Sequence, residues 1–400
     1  MIRVRPFAPF TVCEPVERYF DENRAWQGAP SIARTKGGRL FVGFMSGGIY
    51  EPDPRNCMLL ICSEDGGESW SKPILAIETD REKRIRRFEI ELWLDPKGAL
   101  WLFWSQVPYP AGLSLPTYEQ KIDMENDSEY HQLEAETEYW AAVCEDPDAE
   151  ELVFGEPRFL YAASGRNKPF VTDTGRWLFG SYISSPRDYY QFHYSDDEGK
   201  TFKPTIPAHF RGEGRAYDEP GFYRMADGTL AVILRTTPHM YKRLVSKDNG
   251  ETWGEAEDLL AAASQRPCVG NLSDGSALFI PSIHHKSRNG LRLMRSEDGR
   301  EFRELFLLED RERVSYAELV EDEKGTIYVV YDRERNNKIR KSYITGTSEA
   351  AKEILFARIP REAIERGEVT KDCVRARVIS KAGINTLVNR YTEEASEARQ

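Results

Sequence analysis

A short Ser-x-Asp-x-Gly-x-Ser/Thr-aromatic unit recurs along the chain, and no other feature limits the possible folds so strongly. It occurs as Ser63, Asp65, Gly67, Ser69 and Trp70; as Ser195, Asp197, Gly199, Thr201 and Phe202; and as Ser246, Asp248, Gly250, Thr252 and Trp253. A shortened copy has Ser296, Asp298, Gly299 and Phe302. In such a unit the Ser and Asp side chains bond turn amides, Gly takes the left-handed conformation, and the aromatic packs back on a sheet. Repetition of one local turn at this scale requires a tandem array of similar β units.

A second repeat agrees. Short apolar runs meet at polar turns ending in Gly38, Gly98, Gly175, Gly228, Gly275 and Gly325. Each reads as a tight hairpin in which Gly supplies a positive φ. Aromatic residues make up 12% of the chain, with 8 Trp, which suits strands better than helices. Six hairpins, each opening a unit of about 50 residues, predict an all-β chain: a six-bladed β-propeller of four-stranded antiparallel blades. One domain over 1–380 is expected, with the N-terminal strand closing the last blade and a tail over 381–400. A polar insertion over 107–138 in blade 2 reads as a lid over the pocket mouth, or else as a solvated excursion.

Composition narrows the partners. Asp+Glu is 66 against Lys+Arg 55, a net charge of −11. An acidic chain is a poor partner for nucleic acid or anionic lipid, though a local basic pocket for a small anion is allowed. No apolar run approaches the ~18 residues of a membrane span. The N-terminal stretch Met1–Phe10 has no apolar signal core, so a cytoplasmic location is expected. The six cysteines contain no Cys-x-x-Cys pair and read as buried thiols. His284 and His285 would point to opposite faces of a strand, so no metal or other cofactor is expected.

Strand geometry maps a site. The start of each first strand and the end of each second strand lie opposite the hairpin turns. Counting nine residues back from the turn glycines gives Ala29, Glu89, Arg166, Glu219, Arg266 and Tyr316. Five of these are ionisable or phenolic, in strands otherwise rich in Leu, Val and Phe. Such groups are costly in a core unless paired or functional. The second-strand exits add Arg235, Arg288, Asp332, Glu51 and Asp53. Carboxylates, arginines and a phenol at one end suit an anionic or polyhydroxylated ligand, with carboxylates left for acid/base work.

On these motifs the chain resembles the sialidase-like (neuraminidase-like) BNR/Asp-box propeller family, from about residue 24 to 360. The resemblance implies roles. Tyr316, in Ser315-Tyr316-Ala317-Glu318-Leu319, matches the nucleophile. Glu219, in Asp218-Glu219-Pro220-Gly221, matches the base that takes its proton. Arg235 and Arg288 match two members of an arginine triad that clamps a substrate carboxylate. Glu51 and Asp53 both fit the acid/base position and stay alternatives. Arg266, Asn167 and Lys168 are extra polar groups at the mouth, read as substrate-binding, and Glu89 would orient an arginine or bond a sugar hydroxyl. The chain departs from the family at Trp26-Gln27-Gly28-Ala29-Pro30, where the first arginine of the triad is absent. A retaining exo-glycosidase acting on a terminal acidic sugar is the leading expectation. A propeller enzyme for another sugar (a uronic acid or deoxysugar, by hydrolysis or elimination) and a non-catalytic carbohydrate-binding propeller are the alternatives.

Overall fold

The structure is a computed structural model. It describes residues 2–48, 53, 55–109, 133, 136–182, 189–209, 219–236, 239–335 and 352–382. Most of the 107–138 insertion and of the 381–400 tail therefore lies outside the described residues.

All six turn glycines have a positive φ, from +77° at Gly325 to +100° at Gly98, and each joins the first and second strands of a sheet. Six four-stranded antiparallel sheets follow in chain order, the blades of a six-bladed β-propeller. Their first strands are Trp26–Arg34, Ile85–Leu94, Phe170–Val171, Gly221–Arg224, Val269–Asn271 and Val314–Glu321. The Ser-Asp-Gly turns lie between the third and fourth strands. In the second of them Ser195 Oγ donates to Asp197 and accepts from Gly199 N at 2.8 Å, while Asp197 accepts from the amide and hydroxyl of Thr201 at 2.8 and 2.6 Å. The copies at Asp65 and Asp248 repeat this wiring.

The N-terminal expectation is corrected. Arg3–Arg5 runs parallel to Glu151–Val153, and Thr11–Val12 adds a fifth strand to the first sheet beside Leu75–Glu78. The last sheet takes its fourth strand from Val374–Ala382 instead. With that sheet complete, the short N-terminal strands cover edges early in the chain, where unpaired backbone would otherwise be open to other chains.

Two compact units partition the chain: Met1–Ala162 with Asp332–Leu355 and Val378–Gln400, and Ala163–Tyr331 with Phe356–Arg377. In the second unit strand alternation builds two cores from one strand. Leu230, Val232 and Leu234 pack with Leu178, Phe192 and Phe222, while Ala231 and Ile233 pack with Tyr241, Phe279 and Met294. Period-2 side chains thus serve a different interface on each face of the sheet. All six cysteines are unbridged and five are buried; burial pushes the Cys57 thiol up to about 12, so it stays protonated at neutral pH. No helix is long and apolar enough to cross a membrane among the described residues.

The hydroxyl and amide of Thr201 hold the Asp197 carboxyl well below its usual range. A carboxylate stabilised this way contributes to stability above its unfolded pKa near ~4, and the contribution is lost as pH falls through the folded value. Asp197→Asn is therefore expected to melt below wild type at pH 7, with the gap narrowing steadily in melts taken below about pH 4. A gap that stays constant down to pH 2 would contradict this turn chemistry.

Candidate active site

Four of the six positions found by counting back from the turn glycines have left-handed backbone: Ala29 (φ 52°), Glu89 (φ 59°), Glu219 (φ 43°) and Tyr316 (φ 54°). In the first two sheets the register shifts there, between Gly28 and Ser31 and between Phe88 and Glu91. A left-handed residue with a side chain costs roughly 1–2 kcal/mol and bends the strand, which re-aims the side chain. Neighbouring strands hold these bends. The Ala29 amide donates to Asp332 Oδ2 at 2.7 Å, and the Glu89 amide to the Met45 sulfur at 3.2 Å. Ala29 has no chemistry to offer, so the bend belongs to the fold, and function is carried by what occupies it.

Within the second unit the bends bring together residues remote in sequence. Arg235 Nη1 donates to Glu219 Oε2 at 2.6 Å and to the Tyr316 hydroxyl oxygen at 3.2 Å. Phenol and carboxylate are therefore joined across one guanidinium nitrogen, with all three side chains buried. Three more guanidinium carbons lie near the Tyr316 ring: Arg288 at 5.4 Å, Arg266 at 5.8 Å and Arg166 at 5.9 Å from its centroid. Arg288 Nε donates to the Ser264 carbonyl at 3.0 Å, and Arg288 is the most exposed of these arginines. Among the described residues two carboxylates, Glu219 and Glu318, pair with this set, Glu219 with Arg235 and Glu318 with Arg266 and Lys168. A cluster of guanidinium groups of this kind suits an anionic ligand. A second phenol, Tyr241, donates to the Gln265 carbonyl at 3.1 Å, and burial raises its pKa, so it stays neutral beside them.

Arg266, Asn167 and Lys168 sit at this site, Arg266 fully buried and the other two half-buried. The Arg266 side chain is 0% exposed and pairs with Glu318 at 2.7 Å. Lys168 takes the other oxygen of Glu318. Glu318 and the position of Arg166 against the ring escaped the assignment of roles. The signal for Glu318 was present: it is an ionisable residue inside the apolar run Ser315–Val320.

The remaining candidates belong to the first unit. Asp53 is fully buried, and its carboxylate accepts from Arg55 Nε at 2.9 Å, Arg55 Nη2 at 2.7 Å and the Arg55 amide at 2.8 Å. Glu89 accepts from Ser105 Oγ at 3.3 Å. Glu51 lies outside the described residues. Arg24, near the absent first arginine, is buried and donates to Gln27 at 2.5 Å, to Ser46 at 2.7 Å and to Ser380 at 2.8 Å, as well as to Asp21. It ties this segment to Ser380 in the strand Val374–Ala382. Among the described residues no group of three His, Cys, Asp or Glu could hold a metal ion.

Comparison with known proteins bears on the family and the fold. The family model for the BNR repeat-like domain matches residues 62–329. A sequence search of curated proteins finds no match. Among solved structures the chain is similar to the intramolecular trans-sialidase from Ruminococcus gnavus in complex with oseltamivir carboxylate (TM-score 0.63, 14% identity, covering 90% of this chain and 98% of that one). It is also similar to the NanB sialidase from Streptococcus pneumoniae (TM-score 0.61, 13% identity, 81% and 67%). A protein of unknown function from Dyadobacter fermentans gives a TM-score of 0.60 at 16% identity, with 82% and 95% covered.

The left-handed bend makes a direct forecast at the position that carries no chemistry. Ala29→Gly is expected to leave stability unchanged or to raise it, and Ala29→Val to lower it by at least about 1 kcal/mol, in denaturant titrations. Equal stability of the two variants would show that the bend is not strained.

Proposed function

The chain belongs to the BNR repeat-like domain family, and from that premise we propose that it is a sialidase-like exo-glycosidase that releases a terminal acidic sugar with retention of configuration. One observation carries the reading: Arg235 Nη1 bridges the Glu219 carboxylate and the Tyr316 hydroxyl, with three further guanidinium groups around the Tyr316 ring. A phenol is a weak nucleophile near neutral pH unless its proton has somewhere to go. Here it passes to Glu219. Arg235 faces both oxygens, so its charge compensates whichever of them is negative, and the transfer needs little reorganisation. The phenolate oxygen attacks the anomeric carbon and the bond to the leaving oxygen breaks. A carboxyl group protonates that oxygen and later takes a proton from the water that releases the sugar from Tyr316. Glu219 then returns its proton to the phenol. Glu51 and Asp53 are the alternatives for the acid; Asp53 would have to loosen its bidentate ion pair with Arg55 to serve. Arg288, the more exposed arginine, is the group for the substrate carboxylate.

A second reading rests on a specific feature. Residues Trp26–Pro30 lack an arginine, and the buried bonds of Arg24 leave it no freedom to replace one. A shorter arginine clamp suits an acidic sugar with a differently placed carboxylate, such as a uronic acid.

Turnover of 4-methylumbelliferyl glycosides, sialoside and hexuronides included, tests both. Glu219→Gln is expected to lower kcat by about 10²–10⁴-fold, and Tyr316→Phe by at least as much. Activity confined to a hexuronide would establish the second reading. Unchanged turnover in both variants would remove these roles, and sugar binding without turnover by wild type would make the protein a carbohydrate-binding propeller.

A further inference from the structure

Tyr316 and Glu219 are both held in left-handed backbone, and left-handed residues persist only where surrounding contacts over-determine them. The side chains of Asn167 and Arg266 supply such contacts. Asn167 Nδ2 donates to the Glu219 carbonyl at 2.5 Å. Asn167 Oδ1 accepts from Arg266 Nη1 at 3.1 Å. Arg266 Nη2 donates to the Ala317 carbonyl at 2.9 Å and the Tyr316 carbonyl at 3.5 Å. The chain of bonds runs from the backbone of Glu219, through one amide and one guanidinium, to the backbone of Tyr316. The amide has a single orientation that works, because its NH₂ must face a carbonyl and its oxygen a guanidinium. Glu318 braces the far side: it takes Arg266 on one oxygen and Lys168, the residue after Asn167, on the other.

We infer that Asn167 and Arg266 form a bracket that fixes the spacing and aim of Tyr316 and Glu219, and that they are positioning residues and not ligands of the substrate. This rests on the glycosidase reading for its kinetic consequence but not for its geometry. Arg266 has no exposed side-chain surface with which to meet a sugar. Both of its Nη nitrogens point at groups next to the reacting residues. Asn167 is itself left-handed, with φ 100°. If either link is lost, the two bends can relax toward extended backbone independently. A shift of about 1 Å between reacting groups costs on the order of 10²-fold in rate.

The test uses Asn167→Gly, which tolerates the positive φ and removes both amide bonds, and Arg266→Lys. Asn167→Asp, which keeps the acceptor for Arg266 and loses only the donor to Glu219, is the substitute where thermal melts show either variant unfolded. Asn249→Gly is the control: Asn249 has φ 60° in a Ser-Asp-Gly turn of the same unit. Expected are a fall in kcat of about 10- to 100-fold with KM within about threefold for the bracket variants, and no change in the control. Unchanged kcat, or a rise in KM alone, would overturn the bracket and return these residues to substrate binding. A second readout needs no substrate. In protein carrying ¹³C-labelled tyrosine rings, the Tyr316 signal, assigned with Tyr316→Phe, is expected to shift or broaden in both bracket variants and to stay in place in the control. A signal unmoved by Asn167→Gly and Arg266→Lys contradicts the bracket. Wild type inactive on every glycoside sinks the proposed activity and leaves the bracket to be judged by the tyrosine signal.

Discussion

A residue with a side chain and a positive φ carries a local penalty of about 1–2 kcal/mol, and this chain repeats it nine residues before the turn glycine, in or just ahead of the first strand, in four of its six blades. The repetition means that the penalty is inherited with the blade. Whether it becomes chemistry depends on the occupant. Ala29 offers none, Glu89 bonds a serine, and Glu219 and Tyr316 meet across Arg235. The bend turns a strand-entry position, which would otherwise face a sheet interface, into a place from which a side chain can be aimed. Cross-strand bonds from Asp332, Asn167 and Arg266 to the bent backbone show how strongly those positions are held.

Electrostatics completes the second unit's site. Five cationic side chains with two carboxylates would repel one another if left unpaired and dry. They are interlaced instead. Glu219 takes Arg235, and Glu318 takes Arg266 and Lys168. Around the Tyr316 ring the guanidinium groups of Arg166, Arg266 and Arg288 lie 5.9, 5.8 and 5.4 Å from its centroid, an arrangement in which the phenol sits among cations held in place by their own partners.

Much of the fold was legible because its determinants are local. Turn glycines and Ser-Asp-Gly boxes fix their own conformation through contacts within a few residues, so Gly38 to Gly325 and the turns at Asp65, Asp197 and Asp248 could be placed from sequence. The nine-residue count worked because a strand between a turn and its entry has a nearly fixed length. What was not legible depends on pairing at a distance. Nothing in Arg3–Arg5 or Thr11–Val12 says which edge they join, and a three-residue strand has too little pattern to decide it. The bends were hidden because their residues are not glycine. The sequence also shows that Arg266 and Asn167 are polar but not with whom they pair, because their partners lie about fifty residues or more away in the chain. Glu318 stood in plain view, and its significance appears only with Arg266 and Lys168 beside it.

The central claim is that Tyr316, with its proton taken by Glu219 across Arg235, forms a covalent bond to the sugar. Peptide mass mapping tests it directly, after wild-type protein has reacted with a fluorinated glycosyl fluoride of whichever sugar it turns over, a reagent class that slows release of the covalent intermediate. The account requires one added glycosyl mass, borne by the peptide that contains Tyr316. An adduct on any other side chain, or no adduct in a protein that hydrolyses the sugar with retention, would contradict it.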